Sequence, residues 1–393
     1  MKIGLLGCSS LPHQTTFAQL RTWSMQRFLE KQKLHVASFL LSDSDIHGHN
    51  VYEQKTMDAL SAFCKNIDIL ITAGPFLPAL VLDGIPENIP LWLDWPSDPL
   101  ADFHAKQLVS QTTISDHSIV QELIRKAFFR ADAIGVISQR QAYASLGQLL
   151  LLGYEMTPVS VIPIAYDFPF SPQTKQALAE DILIAGSMNT WLDLRQIVET
   201  LGTAQARNIH ITGGYVPHFP EGKQLIKELQ DRFTNLKYHG WIAEPELENV
   251  IRKCQYSVWL DQGDIEPLLG SRTRALFSIW HGLKIFGSTK TELADFLMRQ
   301  QAMVEWDGRK PADIVFRQLA EINVEHAQSV CKQYFSPDVV YAPIVEWINN
   351  PVRVKKQPQD SVFLENQSLR REIRSVYQSS TWKILNRVHK LFG

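Results

Sequence analysis

The stretch Tyr256-Ser-Val-Trp-Leu-Asp-Gln-Gly-Asp-Ile-Glu-Pro-Leu-Leu-Gly-Ser-Arg-Thr-Arg-Ala-Leu-Phe-Ser-Ile-Trp-His-Gly-Leu-Lys-Ile-Phe286 decides how the chain is read. Tyr256 to Leu260 is a short apolar run of strand type, and Leu276, Ile279, Trp280 and Leu283 recur at helical spacing. Strand, loop and helix follow in that order. Ser271 stands at the expected N-cap, just after Gly270, and Gly282 at the expected stop. Arg272, Thr273 and Arg274 then fall in the first turn, where unpaired N–H groups and the positive end of the helix dipole favour an anion.

Two arginines at the positive end of a helix ask for a compensating negative charge. A diphosphate would supply it, and Asp261, Asp264 and Glu266 in the preceding loop would accept hydrogen bonds from sugar hydroxyls. The alternative is a surface helix whose arginines pair with those same carboxylates.

Before this stretch, short apolar runs alternate with helical patterns. Lys2 to Leu6, His35 to Leu41, Ile67 to Ala73, Pro90 to Leu93, Ile134 to Ser138 and Val159 to Ile164 read as strands, with helices at about Thr15 to Lys31, Met57 to Cys64 and Ile119 to Arg130. Such alternation implies a parallel sheet covered on both faces, with ligands beyond the carboxyl ends of the strands at Gly7 to Ser10, Gly74 and Asp94 to Asp98. The full GxGxxG pattern is absent after the first strand. Tyr166 to Pro172 reads as a linker. A second alternation starts at Asp181: strand Ile182 to Ala185, loop Gly186 to Asp193, helix Leu194 to Gly202, strand Ile209 to Thr212 ending in Gly213-Gly214, helix Leu225 to Phe233, strand Leu236 to His239 and helix Glu244 to Lys253. Cys331 to Asn349 reads as a closing helix that crosses back.

The 393 residues suffice for two or three domains, and a net charge of −2 argues against a general nucleic-acid binder. Cys8, Cys64, Cys254 and Cys331 lie far apart, which suggests neither a zinc cage nor a disulfide framework and fits a reducing cytoplasm. The apolar run at Met1 to Gly7 is too short for a signal peptide, and no stretch approaches the ~20 apolar residues of a membrane span. Asp43-Ser44-Asp45 has the DxD form of a metal site and His47-Gly48-His49 lies beside it, but both read as polar loop and no metal is expected. From Arg353 onward nine Lys or Arg stand against three acidic residues, a net of +6. Leu369, Ile373, Val376, Trp382, Leu385, Val388 and Phe392 form an apolar stripe there, with Lys383, Arg387 and Lys390 on another face. Such a tail suits a membrane surface or a partner.

Several blocks in order resemble the family 4 type nucleotide-sugar glycosyltransferases of GT-B architecture, especially bacterial members from surface-polysaccharide gene clusters. They are Pro90-Leu-Trp-Leu-Asp-Trp-Pro-Ser-Asp-Pro99, Arg130-Ala-Asp132 with Ser138 to Gln141 and Leu146-Gly147, Asn189-Thr-Trp-Leu-Asp193, Gly240-Trp241, and Glu266 with Ser271-Arg-Thr-Arg274 and Trp280-His-Gly-Leu283. The resemblance covers residues 1 to 350. It implies two Rossmann-like α/β lobes facing across a cleft: an acceptor domain over 1–165, a linker over 166–180, a donor domain over 181–333 and a closing helix over 334–351, while the charge and apolar pattern make 352–393 a basic helical tail.

The resemblance further implies that Glu266 contacts the donor sugar, and that Arg272, Thr273 and Arg274, with Ser271, lie beside the diphosphate. Asn189, Trp191 and the glycines Gly186, Gly213 and Gly7 complete the donor side, and Asp94 and Asp98 face the reacting centre. The usual ribose-binding acid is Phe277 here, Leu283-Lys284 replaces Leu-Pro, and Gly186-Ser187-Met188-Asn189 replaces a loop that often carries Arg and Lys. The diphosphate is thus left to Arg272 and Arg274. The implied reaction is metal-free, retaining transfer of a sugar to a glycan, lipid-linked or protein acceptor by a cytoplasmic enzyme, peripheral on the inner membrane through its tail. In an inverting enzyme Asp94 or Asp98 would be the base. The rivals are a sugar-nucleotide epimerase of the same fold and a non-catalytic protein that binds a nucleotide sugar or a partner.

Overall fold

The apolar runs fold into two parallel sheets in a computed structural model, which describes residues 1–8, 16–41, 54–74, 81–107, 114–154, 156–169, 179–203, 207–214, 221–354 and 356. The patterns at Asp43 to Asp45 and His47 to His49, Ser9 and Ser10, and the tail beyond 356 lie outside these residues.

The first lobe holds β1 (Lys2–Cys8), α1 (Phe17–Lys31), β2 (His35–Leu41), α2 (Gln54–Cys64), β3 (Ile69–Thr72), β4 (Leu91–Trp95), α3 (Pro99–Gln107), α4 (Ile114–Arg130), β5 (Ala133–Val136), α5 (Gln139–Leu152) and β6 (Val159–Val161). Its six strands run in the order β2-β1-β3-β4-β5-β6, every pair parallel. Ile3, Leu5, Leu6, Leu70, Ile71, Leu91 and Leu93 are buried, as strands with helices on both faces require. The entry to α1 is set by a capping box: the Thr16 hydroxyl accepts from the Gln19 N–H, and the Gln19 side chain accepts from the Thr16 N–H.

The second lobe holds β7 (Asp181–Ala185), α6 (Leu194–Leu201), β8 (Ile209–Thr212), α7 (Glu221–Arg232), β9 (Leu236–Gly240), α8 (Glu244–Ile251), β10 (Cys254–Trp259), α9 (Ile265–Leu269), α10 (Thr273–Trp280), β11 (Lys284–Gly287), α11 (Glu292–Arg299), β12 (Met303–Glu305) and α12 (Ala312–Glu321). Its order is β12-β11-β10-β7-β8-β9. The chain leaves β7 in one direction across the sheet and returns at β10 to continue in the other. Loops after β7 and β10 therefore flank a switch point, where open α/β sheets form their binding crevice.

The closing segment is three helices rather than the single one expected over Cys331 to Asn349: α13 (Val324–Phe335), α14 (Pro337–Val340) and α15 (Ala342–Asn349). Pro337 and Pro343 each sit in the first turn of a new helix, where a missing N–H costs nothing, whereas within a continuous helix either would break it. This segment packs on the first lobe, with Tyr341 against Phe28 at 5.3 Å and Trp347 edge-on to Trp92 at 5.6 Å. Where the two connections between the lobes pass each other, the Tyr166 N–H donates to the Phe335 carbonyl at 2.6 Å. Elsewhere α3 packs on α9, and Ser138 Oγ donates to the Leu269 carbonyl at 3.4 Å. Among the described residues no helix is long and apolar enough to cross a membrane.

Candidate functional site

At the switch point of the second lobe, β7 ends at Ala185 and turns through Gly186, whose φ of +93° suits glycine. Opposite, β10 leads to Asp261. The two loops are joined: Leu192 and Asp261 form an antiparallel bridge, the Gln262 N–H donates to the Trp191 carbonyl at 2.8 Å, and the Asp193 N–H to that of Leu260 at 2.9 Å.

Arg272 sits under these loops, 4% exposed. Its Nε donates to Asp261 Oδ1 at 2.6 Å, and Nη1 and Nη2 donate to Glu266 Oε1 and Oε2 at 3.0 and 2.7 Å. Burial disfavours the charged guanidinium, but Asp261 and then Glu266 more than offset it, so Arg272 holds its proton more tightly than an ordinary arginine. Arg272, expected beside a diphosphate, is paired here with two carboxylates inside the protein. The physical reason is α9, one short helix where the sequence reads as loop, which carries Glu266 back onto the guanidinium. Ser271 is not the N-cap either. Arg272 is, with no side-chain capping bond, while the Ser271 carbonyl accepts from Arg272 Nη1 at 3.1 Å.

Arg274 differs. Its Nη2 donates to the Ser187 carbonyl at 3.1 Å, and its buried Nη1 has no hydrogen-bond partner among the described residues. A Cβ added to Gly186 would stand 4.0 Å from Nη2, so this guanidinium lies against the turn after β7. Burial, and then the charge of Arg272, pull its pKa down to about 10. Such a cation gains most from an incoming anion. In the same loop, Asn189 Oδ1 and Thr190 Oγ1 are buried and have no hydrogen-bond partner among the described residues, and Trp191 is half-buried. Gly213, at φ +97°, lets the loop after β8 close on this turn, since a Cβ there would meet the Gly186 carbonyl oxygen at 2.3 Å. Thr273 lies apart from Arg274, in a pocket between the lobes with Arg21, Ser24, Asp167, Phe168 and Tyr341.

In the first lobe Asp94 is fully buried and held by Arg21 through Nε and Nη2, both at 2.7 Å, with Oδ2 also accepting from the Gly74 N–H at 3.1 Å. Asp98 caps α3: its Oδ1 accepts from the N–H groups of Leu100 and Ala101 at 2.9 and 3.1 Å, and Oδ2 from Gln148 at 2.8 Å. Asp94 and Asp98, expected to face the reacting centre, both take part in bonds that hold the first lobe together. Gly7 also serves packing: a Cβ there would meet Thr22 of α1 at 2.4 Å, so glycine lets the helix approach β1.

Sequence reasoning missed Asp102. It lies on α3, which faces α9 across the cleft, is 8% exposed, and accepts from Ser97 Oγ at 3.3 Å. Burial, then the nearby charge of Glu266, push its carboxyl up to about 7. No local pattern marks it, since its partner is 164 positions away in the chain. Phe277, in place of an acid, packs on Phe168 at 5.8 Å and His281 at 4.6 Å, so its helix face meets aromatic rings. Among the described residues no three His, Cys, Asp or Glu side chains converge as a metal site.

No family model and no curated protein sequence matches the chain. Solved structures do resemble it. Anabaena HepE, in complex with UDP and glucose, superposes with a TM-score of 0.62 at 12% identity, over 89% of this chain and 100% of HepE. Sucrose-phosphate synthase from Thermosynechococcus elongatus gives 0.64 at 12%, over 88% of this chain and 98% of the synthase. AviGT4, a glycosyltransferase involved in avilamycin A biosynthesis, gives 0.56 at 12%, over 88% and 97%. At such identities the likeness speaks for architecture alone, and the architecture is GT-B: two Rossmann-like lobes facing across a cleft.

Proposed function

We propose that the chain is a nucleotide-sugar glycosyltransferase of hexosyl type, which moves a sugar from a nucleotide-diphosphate donor to a glycan, lipid-linked or protein acceptor in cell-surface glycoconjugate synthesis. The observation that carries this reading is Arg274, a partly buried guanidinium set against the glycine turn after β7, whose Nη1 has no hydrogen-bond partner among the described residues. Glycosyl transfer builds negative charge on the leaving diphosphate, and a fixed cation in a dry site stabilises that charge without a metal. Likeness to the UDP-bound HepE makes a uridine nucleotide the first donor to test.

The other residues take revised parts. Arg272 holds Glu266 in one orientation, and each carboxylate oxygen keeps a lone pair for a sugar hydroxyl. Asn189 and Thr190 offer buried oxygens to the donor. With Asp94 and Asp98 engaged, the reading favours retention, the acceptor hydroxyl losing its proton on the leaving-group side. The basic residues of 352–393 face an anionic membrane surface in a cytoplasmic, peripheral enzyme.

The test is calorimetric titration of the full chain with UDP and a panel of UDP-sugars, followed by an acceptor screen. Binding that Arg274→Ala weakens at least tenfold, and nucleotide release that rises on adding an acceptor, support transfer; no binding by any nucleotide would sink it. A second reading, a non-catalytic binder, is favoured by Phe277, which packs on Phe168 at the position where the resemblance implies an acid. It predicts tight nucleotide binding with no acceptor-dependent release.

A further inference from the structure

Helix α5 has two unlike faces. Gln141, Ala142, Ser145 and Leu149 are buried in the first lobe, while Tyr143, Leu146 and Leu150, at i, i+3 and i+7, are 67%, 37% and 65% exposed. Leu151 at 88% and Met156 at 78% continue this outer stripe. In its middle stands Gly147, where an added Cβ would meet nothing within 4 Å. Glycine weakens a helix relative to alanine, and on an outer face its bareness leaves room for a close approach. A contiguous apolar surface of this kind marks a contact.

The chain itself leads to that surface. After α15, Arg353 pairs with Asp132 at 3.5 Å, and the Val354 N–H donates to Asp132 Oδ1 at 3.0 Å. Lys356 then donates to the carbonyls of Phe128 and Ala131, and its ammonium lies 5.6 Å over the Tyr154 ring. Tyr154 follows Gly153, the left-handed residue that ends α5. Lys356, the last described residue, therefore lies at the Tyr154 end of α5. The sequence beyond carries its apolar positions at Leu369, Ile373 and Val376 and again at Trp382, Leu385 and Val388. The intervening residues 357–368 can span up to about 40 Å, and α5 is about 21 Å long, so the apolar part reaches the whole stripe. Helix α5 bears Arg140 and no acidic residue, so it offers an apolar seam rather than an ionic one.

We propose that residues 357–393 are the occupant: in solution the C-terminal segment lays its apolar positions along Tyr143, Leu146, Gly147 and Leu150, with Lys383, Arg387 and Lys390 turned outward. Tethering at Lys356 gives this contact an effective concentration that a second copy of the chain does not match. The outward bases remain free for an anionic surface. The seam itself is intramolecular.

Hydrogen exchange on the full chain, without lipid and at two protein concentrations, tests this. In the wild type, amides over 369–388 should exchange at least tenfold more slowly than free peptide, equally at both concentrations. The double variant Leu150→Asp with Leu151→Asp should remove that protection while amides of the first-lobe strands stay as slow as before. Leu385→Asp, placed in the tail so that the lobes are untouched, should do the same. Fast exchange over 369–388 in the wild type, protection unchanged in the variants, protection that appears only with anionic vesicles, or protection that rises with protein concentration would each overturn the proposal, the last two by assigning the stripe to lipid or to a second copy.

Discussion

The carboxylate of Glu292, at the start of α11 in the second lobe, accepts the backbone N–H of Arg140, in the first turn of α5 in the first lobe, at 3.0 Å, and that of Gln139 at the same distance. One lobe thus supplies an anion to a helix start of the other. Arg140 returns the contact through its guanidinium, which donates to the Lys290 carbonyl at 2.7 Å. A carboxylate at a helix start contributes about 1 kcal/mol. Glu292→Ala should therefore shift the balance toward an open arrangement by roughly fivefold. Small-angle scattering should show a larger radius of gyration for the variant, with its melting temperature little changed; an unchanged radius would remove Glu292 as a clasp.

Arg21 and Asp94 form a buried pair whose rupture leaves one charge alone in the core. Arg21→Met or Asp94→Ala should each cost about 3–5 kcal/mol, read as a fall in denaturant midpoint at unchanged slope. Loss of turnover by Asp94→Asn at unchanged midpoint would return the carboxylate to a catalytic part.

The two arginines of α10 should part company on mutation. Arg272→Ala strands Asp261 and Glu266 and should destabilise the fold by about 3–5 kcal/mol. Arg274→Met removes a cation opposed by burial, so the free protein should be no less stable, while UDP affinity falls roughly ten- to hundredfold. Thermal melts with and without UDP separate the two, and equal loss of stability in both variants would contradict this division.

Asp102 gives the pH dependence. Its folded-state value near 7 lies above the unfolded value of 3.8, so the carboxyl favours folding while protonated. That contribution is complete below about 4 and is lost as pH rises through 7. Asp102→Asn should match the wild type at low pH, then exceed it by a margin that grows to a plateau above pH 7, about 4 kcal/mol at most. Melting curves across pH 4 to 8 check this, and a constant margin would refute it.

Much of the architecture was legible because each strand is a short apolar run ended by glycine, proline or a polar turn, as at Lys2 to Gly7 and Ile182 to Gly186. Helix α5 was not read. Its buried residues include Gln141 and Ser145 while Leu146, Leu150 and Leu151 lie outside, which blurs the pattern that marks a core-facing helix. The strands β11 and β12 are not legible either, since Lys284 to Gly287 runs straight on from the helix-ending Gly282-Leu283 and Met303 to Glu305 carries only two apolar residues. At the site, the strand–loop–helix frame and the arginine-bearing helix start were readable. Which arginine is spent was not, since that depends on α9 folding Glu266 onto Arg272. The same holds for Asp102 and Glu292, whose partners come from the other lobe and leave no trace in local spacing.

The hydrogen bond from Tyr166 to Phe335 ties the outgoing and returning connections together at one point. A turn of one lobe against the other that keeps this bond would pivot there, and the Arg140 and Glu292 contact would have to break for the lobes to part.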